Sequence, residues 1–548
     1  MGRAKSRRQT AGRGRYVFFI GGSGARAYRA FLHSCAAGVI KEDEVRVMLL
    51  DADTKNAACT ECEELHQLYN AQHEMFQKMY RERRRRPVST PAFHCKVTMY
   101  HGKAVSPVET NKRRLLQLVP GYHQDGRRAL KWFYDKTERE QDLLNGFYAH
   151  PNIGCLFFQD LSDGSNLGLR HTNELFKGCL SDIENDLRNG DVQIVIVGSL
   201  FGGTGAAGIP TVLKMVKEYC RDHGGDVSRL HFGGVLFTPY FKVPTKQGSD
   251  SNIAIDSDTF LSTTRAALFY YQFQDVFQQI YLVGKEEPDL ICPEYEDGGT
   301  GQKDKAHIVE LLSVAAIKDF LGNGPLSQDP RERISVLMLQ SPKETGEDLD
   351  LKDRVDWNSE CIGRDFWALA DMLRTQMLLE TDIYPYAEAK EDGERSMYQW
   401  YKVYEIHRYD LDDYEDDLTR MRRYTEDFLE WMYDLQHRYI KDGDEGMERD
   451  PGIALSGSAL EQMMELIEER LEVQKQKGEV RNIRASMERV ATNFNNAVEL
   501  AQNIGYVTDK AFEILSLLGV ASKSVTAFRL AGLFKQLFDL SSEKREPK

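Results

Sequence analysis

Up to about residue 340 the chain alternates short apolar runs with amphipathic stretches, and beyond that it is mostly amphipathic. Residues 16–20 (YVFFI) form a continuous apolar run, the pattern of a strand buried on both faces of a parallel sheet. The run leads directly into Gly21-Gly22-Ser23-Gly24 and then into an amphipathic segment over about 25–39. Residues 45–50 (VRVMLL) read as a second strand, ending in the acidic tip Asp51-Ala52-Asp53. Strand, glycine loop, helix, strand and acid is the opening order of an α/β nucleotide fold.

Residues 57–86 have helical composition and end in Arg83-Arg84-Arg85-Arg86-Pro87. The stretch 90–154 carries long polar insertions without a clear period. A short strand is predicted at 155–158 and a helix near 173–187. Residues 192–197 (VQIVIV) read as a central strand, followed by Phe201-Gly202-Gly203-Thr204-Gly205-Ala206-Ala207-Gly208 and a helix to about Tyr219. Further strands are predicted at 230–237 and 279–283, with a helix at 258–272 between them. Residues 307–321 are apolar nearly all round, as in a helix buried on most sides. One more strand is predicted at 334–339. After it, Ser458 with Glu461 forms a capping box, opening a helix with Leu460, Met463, Met464, Ile467 and Leu471 on one face. Ile483, Met487, Val490, Phe494, Ala497, Ala501 and Ile504 make a heptad stripe, which either packs on the chain's own core or forms a coiled coil.

The 548 residues, 41% apolar and 10% aromatic, are enough for two to four domains with a real core, which excludes wholesale disorder. A net charge of −14 argues against a dedicated polyanion binder, so nucleic acid is not the expected partner. The start MGRAKSRRQTAGRGR has six basic residues and no apolar core, which predicts neither signal peptide nor anchor. No window approaches the roughly 18 apolar residues of a transmembrane segment. Nine cysteines, an odd number, read as reduced thiols of a cytoplasmic protein.

Both glycine loops fall between a strand and a helix, where backbone N–H groups and the helix dipole hold phosphate. Neither carries the lysine and hydroxyl residue of a P-loop. Gly22-Ser23-Gly24-Ala25-Arg26-Ala27 fits G-x-G-x-x-A, so a Rossmann-type NAD(P)-dependent enzyme with Asp51 on a ribose hydroxyl is one reading. The second loop favours a mononucleotide triphosphate, which two anion loops can wrap.

The sequence SLFGGTGAAG, with Gly202-Gly203-Thr204-Gly205 after a strand, resembles the signature loop of the tubulins and their bacterial homologue FtsZ. The order of elements over about 15–321 agrees, and the resemblance is closest to the divergent bacterial tubulin-like proteins. It implies an α/β fold: a parallel-sheet tubulin-like nucleotide-binding domain at 16–322, preceded by a basic tail at 1–15. An α+β intermediate region at 323–450 and a mainly α-helical C-terminal region at 451–548 would follow. The implied ligand is GTP or GDP with Mg²⁺, and the implied behaviour is self-assembly into filaments or a defined oligomer. Gly21, Gly22, Ser23, Gly24, Gly202, Gly203, Thr204 and Gly205 would wrap the phosphates. Asp51 and Asp53 would lie near them, and Asn152 would belong to a loop sensing the terminal phosphate. A side chain on the central helix, expected to begin near Gln302, would read guanine; Asp304 is the best placed. Phe201 stands where the family signature has its first glycine, and Ala206 and Ala207 replace later members. The acidic loop that completes a neighbouring subunit's active site in polymerising members is not found after Leu321. Asp329 and Glu332 occupy about its region, so hydrolysis is a weaker expectation than binding, and a non-catalytic nucleotide-gated scaffold with partners on its C-terminal helices is an alternative.

Other features read as structural. Cys59 and Cys62 form a lone C-x-x-C without the further ligands zinc needs. Arg83–Arg86 read as a solvated helix end or interface patch, and the acids Asp410, Asp412, Asp413, Glu415, Asp416 and Asp417 as a solvated face. Phe528, Ala531, Phe534, Leu537 and Phe538 form an amphipathic face that either packs on the body or meets a partner or a membrane surface, and His33 and His307 lie in helical runs.

Overall fold

The computed structural model describes residues 14–81, 92–108, 113–119, 121, 123–162, 169–242, 259–272, 277–285, 288–290, 306–325, 334–339, 415–438 and 448–449. Its strands are β1 (Gly14–Ile20), β2 (Glu44–Leu50), β3 (Lys96–Met99), β4 (Val192–Ser199), β5 (Leu230–Phe237), β6 (Phe241–Lys242), β7 (Gln279–Lys285), β8 (Asp289–Leu290), β9 (Ile334–Leu339), β10 (His437–Arg438) and β11 (Glu448–Arg449). The helices are α1 (Gly21–Ala36), α2 (Ala57–Arg81), α3 (Leu115–Leu118), α4 (Gln124–Phe133), α5 (Lys136–Glu140), α6 (Pro151–Ser162), α7 (Leu169–Asn189), α8 (Gly203–Asp222), α9 (Phe260–Gln272), α10 (Ile308–Asn323) and α11 (Glu415–Gln436).

Seven strands form one sheet in the order β3-β2-β1-β4-β5-β7-β9, and every pairing is parallel. All eight residues of β4 are buried, which is why its sequence, VQIVIVGS, is mostly apolar on both faces rather than alternating. Side chains nevertheless alternate between faces. Phe18 and Ile20 enter the core shared with α6, α7 and α8, whereas Phe19 packs on Tyr28 and Phe31 of α1. Helices α1, α2 and α10 cover one face of the sheet, and α6, α7 and α8 the other. Helix α9 joins the second face, where the Tyr271 hydroxyl donates to the Ala206 carbonyl at 2.5 Å.

This is a doubly wound α/β sheet, with chain order reversing between β1 and β4. In such sheets, ligands bind outside the carboxyl ends of the strands at that switch point. Both glycine loops emerge there, from Ile20 and Ser199.

Several expectations are corrected. Residues 155–158 belong to helix α6, not a strand. A four-residue apolar run does not distinguish the two, and Pro151 at the first helical position favours helix. The third strand lies instead at Lys96–Met99, an edge strand whose partly exposed pattern gave no strong signal. Helix α1 begins at Gly21 rather than Ala25. Helix α10 begins at Ile308, capped by His307, not near Gln302. Ile334–Leu339 pairs with β7, and α11 packs against α2, so elements after residue 322 build on the same sheet and its helical face. No helix among the described residues is long and apolar enough to cross a membrane. The capping box at Ser458, the heptad stripe at 483–504, the amphipathic segment at 528–538 and Arg83–Arg86 lie outside the described residues.

Candidate functional site

Each glycine of the first loop has a separate physical reason. Gly21 has φ +78°, the left-handed turn that reverses β1 into α1. A Cβ at Gly24 would lie 2.9 Å from the Phe19 carbonyl carbon, so this position serves close helix–strand packing. Gly22 is different: a Cβ there meets nothing within 4 Å, and the residue borders open space.

The second loop touches the first. A Cβ at Gly21 would approach the Gly205 nitrogen at 3.2 Å, and one at Gly198 the Ile20 carbonyl oxygen at 3.0 Å. Gly203 and Gly205 are required by the protein itself, since their Cβ positions fall 2.7 Å from Phe147 Cβ and 2.8 Å from Ser199 backbone atoms. Phe201, in place of a signature glycine, is buried among Tyr240, Phe241 and Phe260.

Two helix N-termini therefore meet at the β1/β4 switch point. The first-turn N–H groups of a helix have no partner within it. Neither α1, with N-cap Ile20, nor α8, with N-cap Gly202, has a side-chain cap, and neither has an acid in its first turn. Both present positive dipole ends that an anion can satisfy.

Asp51 joins the loops from the end of β2. Its Oδ1 accepts from Thr204 Oγ1 at 3.2 Å and from the Asp53 amide at 3.3 Å; its Oδ2 accepts from Asn56 Nδ2 at 3.0 Å. Burial pushes the Asp51 carboxyl up to about 7, against the pull of these hydrogen bonds. Asp53 is also buried, and its Oδ1 accepts from the Lys55 amide at 3.1 Å. Asn56, which caps α2 by accepting from the Cys59 amide at 2.8 Å, was missed in the sequence although an Asn before a helix is a recognisable cap signal.

A third segment closes the site. A Cβ at Gly203 would lie 3.1 Å from the His150 amide, and one at Gly146 3.9 Å from Asp53 Cβ. Between them Tyr148 and Ala149 hold left-handed φ values of 46° and 59°, a strained pair of the kind found at ligand sites. The backbone of 146–150 lies at the cradle. Asn152 follows on the first turn of α6, where it is exposed and its carbonyl accepts from the Tyr134 hydroxyl at 3.0 Å.

The structure thus brings together Gly21, Gly22, Ser23, Gly24, Gly202, Gly203, Thr204, Gly205, Asp51 and Asp53. Asp304, Asp329 and Glu332 lie outside the described residues. Cys59 and Cys62 are buried on α2; the Cys62 thiol donates to the Ala25 carbonyl at 2.9 Å, and burial raises both thiols. Among the described residues, no three His, Cys, Asp or Glu side chains converge as a metal site. Asp51 and Asp53 could hold a cation only with oxygens supplied by a ligand. No family model matches the chain, and no curated protein matches it.

Proposed function

We propose that the chain is a tubulin-like protein that binds a nucleoside triphosphate, GTP by the sequence resemblance, and self-assembles according to its nucleotide state. The observation that supports this is the meeting of two uncapped, glycine-bearing helix N-termini at the β1/β4 switch point. Two positive helix ends facing one crevice suit a chain of phosphates. Gly21, Gly22, Ser23 and Gly24 would hold one side of it, and Gly202, Gly203, Thr204 and Gly205 the other. Asp51 and Asp53 would hold Mg²⁺, which when bound neutralises phosphate charge. Asp51 fits that role because its hydrogen-bond partners are neutral and burial disfavours its ionised form; a dication supplies the missing charge. Asp304 would accept from guanine N1 and N2.

The same strand order also occurs in dinucleotide folds, so NAD(P) binding is the second reading. Two observations favour the mononucleotide. The turn, open and packing glycines fall at 21, 22 and 24, not at the spacing of G-x-G-x-x-G. Asp51 is engaged by Thr204 of the second loop, where a ribose-binding acid would be free.

Gly22→Val provides the test, because the protein itself leaves room for the side chain. The apo variant should keep its stability within about 0.5 kcal/mol, while its affinity for GTP, measured by calorimetry, falls by more than about tenfold, or roughly 1.4 kcal/mol. Wild-type affinity in this variant would exclude the crevice as the phosphate cradle.

A further inference from the structure

A second polar cluster lies beside the cradle. Arg26, one turn beyond Gly22 on α1, has a side chain only 7% exposed, and its partner Glu310 is 1% exposed. Arg26 Nε pairs with Glu310 Oε1 at 2.8 Å, and Nη2 donates to the Tyr240 hydroxyl at 2.9 Å. The Tyr240 hydroxyl donates in turn to Glu310 Oε1 at 3.0 Å. The other carboxylate oxygen, Glu310 Oε2, accepts from the His307 amide at 3.0 Å, completing the capping box that starts α10. The guanidinium also lies over the Phe241 ring, 4.6 Å from its centroid.

One buried carboxylate therefore ties together three parts of the chain: the first turns of α1, the segment after β5 and the first residues of α10. Burying an ion pair costs several kcal/mol per ion before the pairing is counted, a cost that apolar packing would avoid. What the pair adds is a fixed geometry between the cradle and α10. Asp51 and Asp53 follow β2 and Tyr240 follows β5, on opposite sides of the β1/β4 switch point; a nucleoside extending from the bound phosphates on the β5 side would pass Tyr240 and the start of α10.

We propose that Arg26, Tyr240 and Glu310 are positioning residues for base selection: they fix the start of α10 against the phosphate cradle without touching phosphate themselves. This rests on the nucleotide-binding reading above. The test compares the affinities of the full-length protein for GTP, ATP and inorganic tripolyphosphate in wild type, Tyr240→Phe and Glu310→Gln. Tyr240→Phe removes one hydroxyl and leaves the Arg26–Glu310 pair intact, so the fold should survive. Both variants should lower the ratio of GTP to ATP affinity by about fivefold, the equivalent of one lost hydrogen bond, with tripolyphosphate affinity held within about twofold. An unchanged ratio, whether the three affinities stay constant or fall together, would make the cluster merely structural and overturn the proposal. Wild-type protein that binds tripolyphosphate without preferring GTP would overturn base selection and keep the cradle. Wild-type protein that binds none of the three would overturn the nucleotide reading as well.

Discussion

At Asp51, burial and hydrogen bonding pull in opposite directions, and burial prevails, holding the carboxyl up to about 7. Between about pH 4 and 7 the folded state then retains a proton that the unfolded chain releases, so this group costs stability as the pH rises through that window. The upper bound is about 4 kcal/mol. Denaturation of apo wild type and Asp51→Asn across this range should show wild type losing stability relative to the variant as the pH increases. A nucleotide with Mg²⁺ should reduce the difference; parallel curves would mean that Asp51 ionises freely. The cradle glycines were legible from their runs, but their separate roles were not. Only the fold shows that Gly205 presses on Ser199 while Gly22 faces open space.

The helices owe their placement to contacts between distant segments. Pro210 lies inside α8 and has no N–H to give the Ala206 carbonyl four residues earlier. The Tyr271 hydroxyl of α9 supplies that missing donor. Tyr271→Phe should therefore destabilise the protein by about 1–3 kcal/mol in chemical denaturation, the cost of a buried acceptor left unpaired. A change near zero would mean that the carbonyl finds another donor. Helix α11 is fixed similarly. Trp431, fully buried, packs on His33 of α1 with ring centroids 4.6 Å apart, and the Tyr424 hydroxyl and Asp427 meet the two nitrogens of the same imidazole. Trp431→Ala should cost about 3–5 kcal/mol; a loss below about 1 kcal/mol would show that α11 is dispensable to the fold. Neither contact could be read from a local window. The strands that could be read, β1, β2, β4, β5, β7 and β9, are short, mainly apolar runs paired within the sheet. The exposed edge strand β3 was missed, and the short apolar run in α6 was misread.

For the whole molecule, the strand order creates the site: the reversal between β1 and β4 brings two loops some 180 residues apart into contact. That meeting was anticipated from the resemblance of GGSG and FGGTGAAG to the two tubulin loops. The Arg26–Tyr240–Glu310 cluster was not, because Arg26 and Tyr240 are 214 residues apart and neither has a local signature. The measurement that tests the central claim most directly is to denature the purified protein, identify any nucleotide released, and compare the thermal stabilisation of the native protein by GTP, ATP and NAD. Bound GTP or GDP, or selective stabilisation by GTP of about 2.7 kcal/mol at 100 times its Kd, is the expected result. Stabilisation by NAD alone would contradict the account and place a dinucleotide in the crevice.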